Sequence, residues 1–273
     1  MRDDIRAETL KLIRRPAIWT LLGVALVLSL TFTYLVPYAG YAGGTGGPTA
    51  DRGLAAMLPG QLVGNSIGGL PVFLGALMLI LGVLTVGGEY AWGTWKTVLT
   101  QDPNRLRVYG AKLVVAGLAA LAGVLAVFAA GAATSALIAS TEDRAMLWPG
   151  IADLLAGIGA GWLIAAMWTV LGALLAVALR GVALPVGLGL VWLLAVQNLL
   201  ALIAAPLLGW VASAQKGLPG PNAGSLVAAL GAGSETPGVE AVVGGGQAAV
   251  VLAGYLLVFA AAGGAILRRR DIL

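Results

Sequence analysis

Long apolar runs separated by short polar segments fill most of this chain and predict membrane-spanning helices. A helix needs about 20 apolar residues to cross the hydrocarbon core of a bilayer. The chain has six runs of about that length, so we predict an all-α polytopic membrane protein in which residues 1–273 form a single transmembrane domain. The predicted spans are Ala17–Val36, Ser66–Gly87, Lys112–Ile138, Gly150–Leu179, Val182–Gly209 and Gln247–Leu267.

Basic residues between these runs predict the orientation of the spans. Cytoplasmic loops carry an excess of Lys and Arg. With six spans, thirteen basic residues lie on one side of the membrane and three on the other, so both termini are predicted to be cytoplasmic. The thirteen are Arg2, Arg6, Lys11, Arg14, Arg15, Lys96, Arg105, Arg107, Lys112, Arg180, Arg268, Arg269 and Arg270, and the three are Arg52, Arg144 and Lys216.

Composition supports the membrane assignment and excludes several kinds of chemistry. Hydrophobic residues make up 59% of the chain and charged residues 10%, which leaves too little polar surface to cover a soluble protein. The basic residues flank apolar runs and form no single patch, which argues against nucleic acid as a partner. The chain has no Cys or His, so disulfides, thiolate metal sites and a histidine base are excluded.

Two segments outside the spans have their own pattern. Residues 1–16 mix apolar and basic side chains, which fits either an amphipathic helix on anionic headgroups or a cationic flank of the first span. Residues 210–246 form an external segment containing one short helix-compatible stretch, Ser225–Leu230, for which Asn222 is a candidate cap. A helix of that length cannot span, so we expect it to be interfacial or re-entrant.

A cytoplasmic loop at residues 88–111 contains the most informative segment of the chain. Trp92, Trp95 and Leu99 fall at helical spacing, and Pro103 ends any helix before it. These residues predict a short aromatic helix beneath the membrane. Such a helix can dock a cytosolic partner through its Trp side chains, or its Trp residues can simply lie at headgroup level.

The same loop does not contain a nucleotide-binding motif. A P-loop requires Lys directly after its second Gly, but Thr94 and Trp95 separate Gly93 from Lys96. We therefore expect no cofactor on this chain, and any ATP and Mg must be bound by another subunit.

Two polar residues, Gln197 and Asn198, lie in the middle of the predicted fifth span. Polar groups in the hydrocarbon are costly and often functional. Here they either line a substrate path or hydrogen-bond between helices, as is common in helix bundles. The sequence offers no carboxylate pair, nucleophile with a base or metal cluster, so we predict no catalytic residues and no enzyme activity.

Three features of the chain resemble the permease subunits of ABC-type-2 exporters. The first is the Glu8, Lys11, Arg14, Arg15 and Trp19 pattern before span one. The second is the loop after span two, from Glu89, Gly93 and Thr94 through Leu99 and Pro103 to Lys112. The third is the basic ending Arg269, Arg270 and Asp271.

The resemblance implies a function and a set of partners. It implies that two permease chains pair in the cell membrane, as a homodimer or with a second permease. Two cytosolic ATPase subunits would bind beneath them. The abundance of Ala and Gly and the low Lys content relative to Arg indicate a bacterial protein, so the membrane would be the bacterial inner membrane. The segment with Glu89, Trp92, Gly93, Thr94, Trp95 and Leu99 would be the coupling helix that contacts the ATPase. Re-entrant helices would lie near Asn222–Leu230 and Val239–Val243. The cargo would be a drug, a peptide or a lipid-like amphiphile.

Two other classes of protein compete with this interpretation. A membrane scaffold or immunity protein would bind a cytosolic partner through the Trp-rich loop without ATP coupling. A proton-coupled carrier would need charged relays within its spans, and the sequence has almost none.

Overall fold

Every regular element that the computed structural model describes is helical, as the sequence predicts. It describes residues 2–43, 53–101, 104–200 and 208–269. The helices are α1 (Arg2–Ile13), α2 (Pro16–Gly43), α3 (Leu62–Ile67), α4 (Phe73–Ala91), α5 (Trp95–Gln101), α6 (Arg105–Thr141), α7 (Ile151–Leu179), α8 (Ala183–Leu199), α9 (Gly209–Gln215), α10 (Pro219–Ala229) and α11 (Gly245–Arg269).

Five of these helices, α2, α4, α6, α7 and α11, are long and apolar enough to cross a membrane. The chain is therefore a multi-pass membrane protein. The predicted fifth span, Val182–Gly209, contains α8, which the structure describes over Ala183–Leu199. Residues 201–207 of that prediction lie outside the described residues, as do Pro103, Arg270 and Asp271.

The core lies around α7, which packs against α4, α6 and α11. Helix α4 crosses α7 closely because glycine lies at the contact on both helices. A Cβ on Gly82 would overlap the carbonyl oxygen of Thr169, and a Cβ on Gly172 would overlap that of Leu79. Trp168 is fully buried beside this crossing. By contrast, most of the apolar surface of α2 and α11 is exposed, and it needs lipid or another protein to cover it.

The second span begins later than the sequence predicts. Ser66 and Ile67 end the short helix α3, and α4 starts only at Phe73. Pro71 lies between the two helices and cannot donate a backbone hydrogen bond. The predicted span Ser66–Gly87 therefore consists of parts of two helices. The sequence could not show this, because an apolar run does not reveal a break between two buried helices.

The segment after α8 also differs from its prediction. Helix α10 begins at Pro219, so Asn222 lies within its first turn and does not cap it. The buried Asn222 amide donates hydrogen bonds to the carbonyls of Lys216 and Leu218, at 2.9 and 2.7 Å. The predicted second helix at Val239–Val243 is wrong, since those residues form turns and irregular backbone.

Candidate functional site

A tight turn between α4 and α5 brings together several residues that the sequence analysis singled out. Glu89 lies in the last turn of α4, and its carbonyl accepts a hydrogen bond from the Thr94 amide at 3.0 Å. Gly93 occupies the left-handed region with φ of 64°, a conformation that favours glycine. The turn lets α5 begin at Trp95 and fold back under the end of α4.

A buried ion cluster lies directly behind this turn. The ammonium group of Lys112 in α6 lies 2.8 Å from the Glu89 carboxylate and 2.7 Å from that of Glu8 in α1. Lys112 is fully buried, and Glu89 and Glu8 are 2% and 8% exposed. Buried charges are tolerated only when paired and hydrogen-bonded. The cluster therefore fixes α1, α4 and α6 together.

Lys11 completes the cluster at its outer edge. Its ammonium group lies 2.9 Å from Glu8 and 3.2 Å from Glu89. Burial of Lys11 opposes its positive charge, but Glu8 and then Glu89 outweigh that effect and raise its pKa above the ordinary value. The two lysines and two glutamates together carry no net charge, which suits a partly buried site.

Thr94 and Trp95 contact the cluster from α5 and the preceding turn. The Thr94 hydroxyl donates a hydrogen bond to Glu89. The Lys112 ammonium lies 5.7 Å from the centre of the Trp95 ring, within the range of a cation–π interaction. Tyr90 packs against Trp95 at 5.5 Å between ring centres. The predicted coupling segment, residues 89–99, is therefore anchored to the cluster by hydrogen bonding, charge and aromatic packing.

The junction between α1 and α2 is held on the same end of α4. The Arg15 guanidinium donates to the Leu84 carbonyl at 2.8 Å. Gly88 makes this contact possible, since a Cβ there would lie 2.9 Å from the Arg15 Nη1. The N-terminal segment is thus attached to α4 twice, through Lys11 and through Arg15.

Comparison with known families identifies the group to which this arrangement belongs. A family model described as "ABC-2 family transporter protein" matches residues 5–196, more than two thirds of the chain. The chain belongs to the ABC-2 transporter family. The matched part contains every member of the ion cluster and the whole α4–α5 turn. No curated protein matches the chain.

Membership of the ABC-2 family makes the chain a membrane permease and gives the predicted coupling residues a context. Glu89, Thr94 and Trp95 meet at the ion cluster, and Leu99 packs against the core. Trp92 points away and is 81% exposed. The predicted helix through Trp92, Trp95 and Leu99 is therefore wrong at its start, because α5 begins at Trp95 and Trp92 directly follows the last residue of α4.

Sequence reasoning missed that Glu8, Lys11 and Lys112 form one site with Glu89. In the sequence prediction Lys112 lies at the edge of span three without a partner, and the structure shows that it lies two turns inside α6 and has no exposed surface. A signal was present, since Lys112 and Glu89 are opposite charges next to apolar runs, and buried charges require partners.

Gln197 and Asn198 of this ABC-2 permease line a cavity of about 50 Å³ between α8 and the segment around α10. Gln197 is 6% exposed, and neither polar atom of its side chain has a partner among the described residues. A Cβ on Gly220 would overlap the Gln197 oxygen, so Gly220 makes room for this amide. The Asn198 amide donates to the Leu194 carbonyl at 2.8 Å in its own helix.

Proposed function

We propose that the chain is the membrane-spanning subunit of an ATP-binding-cassette exporter. Two permease chains would pair in the cell membrane, in bacteria the cytoplasmic membrane, above cytosolic ATPase subunits that bind ATP and Mg. The chain itself would perform no catalysis, and would move a drug, a peptide or a lipid-like amphiphile outward. Gln197 and Asn198 would lie on the substrate path.

The observation that carries this proposal is the attachment of the coupling segment to the ion cluster. Trp92 is exposed and lies in a segment whose Glu89, Thr94 and Trp95 contact the ion cluster between α1, α4 and α6. A partner that moved Trp92 would therefore move three helices together. Rigid-body movement of packed helices is a common way to convert a partner's conformational change into opening and closing.

The proposal includes six spans with both termini in the cytoplasm. Helix α8 would be the fifth span. With α8 spanning, Lys96 and Arg180 lie on the cytoplasmic side, and Arg144 and Lys216 lie outside. The excess of basic residues on the first side supports this orientation.

A test of the proposal uses Trp92 and a matched tryptophan elsewhere. The full-length chain would be purified from its native membranes, and the ATPase activity recovered with it would be measured. Trp92 and Trp210 are 81% and 71% exposed, so both can be replaced by Ala without loss of core packing. We expect W92A to lose most of the recovered ATPase and W210A to retain it.

The identity of the recovered protein separates the two candidate functions. Mass spectrometry should find a subunit with a true P-loop, and its ATPase activity should change when the permease is present. Recovery of a partner without ATPase activity, again dependent on Trp92, would favour the scaffold or immunity protein. Equal ATPase recovery with W92A and wild type would contradict the proposed coupling segment.

A further inference from the structure

A groove of about 800 Å³ runs between α6 and α11, away from the coupling segment. Leu106, Tyr109 and Leu113 form its wall on α6. Small residues of α11, among them Ala261 and Gly264, form the opposite wall and make the groove concave. Away from the basic residues at one end, the groove is lined by Leu, Ala and Gly residues and the ring of Tyr109, and it has room for a chain of methylene groups.

The basic end of the groove carries Arg268 and Arg269, both exposed. Within the part of the chain that the structure describes, neither guanidinium pairs with a carboxylate. Arg105 reinforces this end, since its guanidinium donates to the Leu267 carbonyl at 3.3 Å and holds the start of α6 against the end of α11. Two exposed cations thus lie at one end of the groove.

The length of the groove matches one leaflet of a bilayer. From Ala260 to Arg269, α11 rises by about 14 Å at the helical repeat. Half the hydrocarbon thickness of a bilayer is about 15 Å. An acyl chain that followed the groove would therefore leave its headgroup phosphate near the two arginines.

We propose that this groove binds one anionic phospholipid of the leaflet next to its basic end. Arg268 and Arg269 would hold the phosphate, and one acyl chain would lie between the small residues of α11 and the α6 wall. Guanidinium groups favour phosphate through paired charge-assisted hydrogen bonds. Basic pockets between transmembrane helices select anionic headgroups. The proposal concerns α6 and α11 alone and does not depend on ATPase coupling.

The test measures lipid retained by the full-length chain in detergent, using native mass spectrometry. The probe is an equal mixture of phosphatidylglycerol and phosphatidylcholine. We expect wild type to retain one phosphatidylglycerol per chain in preference to phosphatidylcholine. Since each basic residue near an anionic surface contributes about fivefold in affinity, R268Q/R269Q should weaken retention by about 25-fold. R268K/R269K should retain most of it.

Two controls separate a site from general attraction to the membrane. R6Q/R14Q removes two exposed charges, one in α1 and one directly after it, and should leave phosphatidylglycerol retention unchanged. A261F fills the groove without changing charge and should abolish retention, whereas V258F, at an exposed position of α11 outside the groove, should not.

Three results would overturn the proposal. If R268Q/R269Q and R6Q/R14Q lose the same amount of retained phosphatidylglycerol, the lipid is attracted to the positive charge of the chain in general and not to this groove. If A261F leaves lipid retention intact, the site binds an anion without an acyl groove. The same conclusion follows if inorganic phosphate displaces the lipid as well as phosphatidylglycerol does. A mass shift from dimer to monomer in A261F, with lipid binding unchanged, would show that the groove is an interface between copies of the chain.

Discussion

The ammonium group of Lys112 lies 2.8 Å from the carboxylate of Glu89, and both side chains are almost completely buried. Glu89 lies at the end of α4, directly before the turn that leads to α5. Lys112 also contacts Glu8 at 2.7 Å. A single buried cation thus joins the N-terminal helix α1, the end of α4 and the long helix α6.

Removal of Lys112 should destabilise the protein strongly. K112M leaves Glu8 and Glu89 buried with only Lys11 to balance them, and loss of one partner from a buried pair costs about 3–5 kcal/mol. We expect a large fall in the thermal midpoint of the purified chain, measured by tryptophan fluorescence. The matched control is K96M, because Lys96 is exposed and lies on α5.

A second variant tests whether charge balance is the cause of that loss. K112M/E8Q removes one charge of each sign and should recover most of the stability that K112M loses. If the double variant were no more stable than K112M, packing of the Lys112 stem and not its charge would explain the effect.

The crossing of α4 and α7 should tolerate no added methyl group at its glycines. A Cβ on Gly82 would overlap the Thr169 carbonyl oxygen, so G82A should separate the helices and reduce the folded fraction on size-exclusion chromatography. Gly117 of α6 has nothing within 4 Å of such a Cβ. G117A should instead stabilise its helix by about 0.5–1 kcal/mol. Equal behaviour of the two variants would contradict the close crossing.

Apolar run length was sufficient to locate the five helices that are long enough to cross a membrane, but the ion cluster required tertiary information. Glu8 and Lys112 are 104 residues apart in the chain, and no local pattern shows that α1 folds back on α6. Trp95 was predicted to face a partner, yet it is 2% exposed. The left-handed turn at Gly93 starts a new helix there and changes which face Trp95 occupies.

Gln197 of α8 allows a test of whether its polar side chain has a structural or a functional role. Both polar atoms of its side chain are buried without a partner among the described residues, which costs about 1–3 kcal/mol. Q197L has a similar volume and should therefore raise the thermal midpoint. If Gln197 lies on the substrate path, the same variant should lower ATPase stimulation by transported amphiphiles.

The control for Gln197 is its neighbour Asn198, which is half-buried and already bonded to the Leu194 carbonyl. N198L should leave the thermal midpoint nearly unchanged, because no unpartnered group is removed. A fall in stability with Q197L would mean that the amide has a bonding partner, and would remove the argument for a functional role.

The absence of natural cysteines makes the orientation directly testable. Four exposed basic residues can each be replaced by a single Cys: Lys96, Arg180, Arg144 and Lys216. In intact cells, a membrane-impermeant maleimide should label R144C and K216C, while K96C and R180C should react only after the membrane is opened. Basic loops are retained in the cytoplasm, and α8 must span to place Lys216 opposite Arg180. Labelling of K216C only after the membrane is opened would show that α8 does not cross and that the protein has five spans.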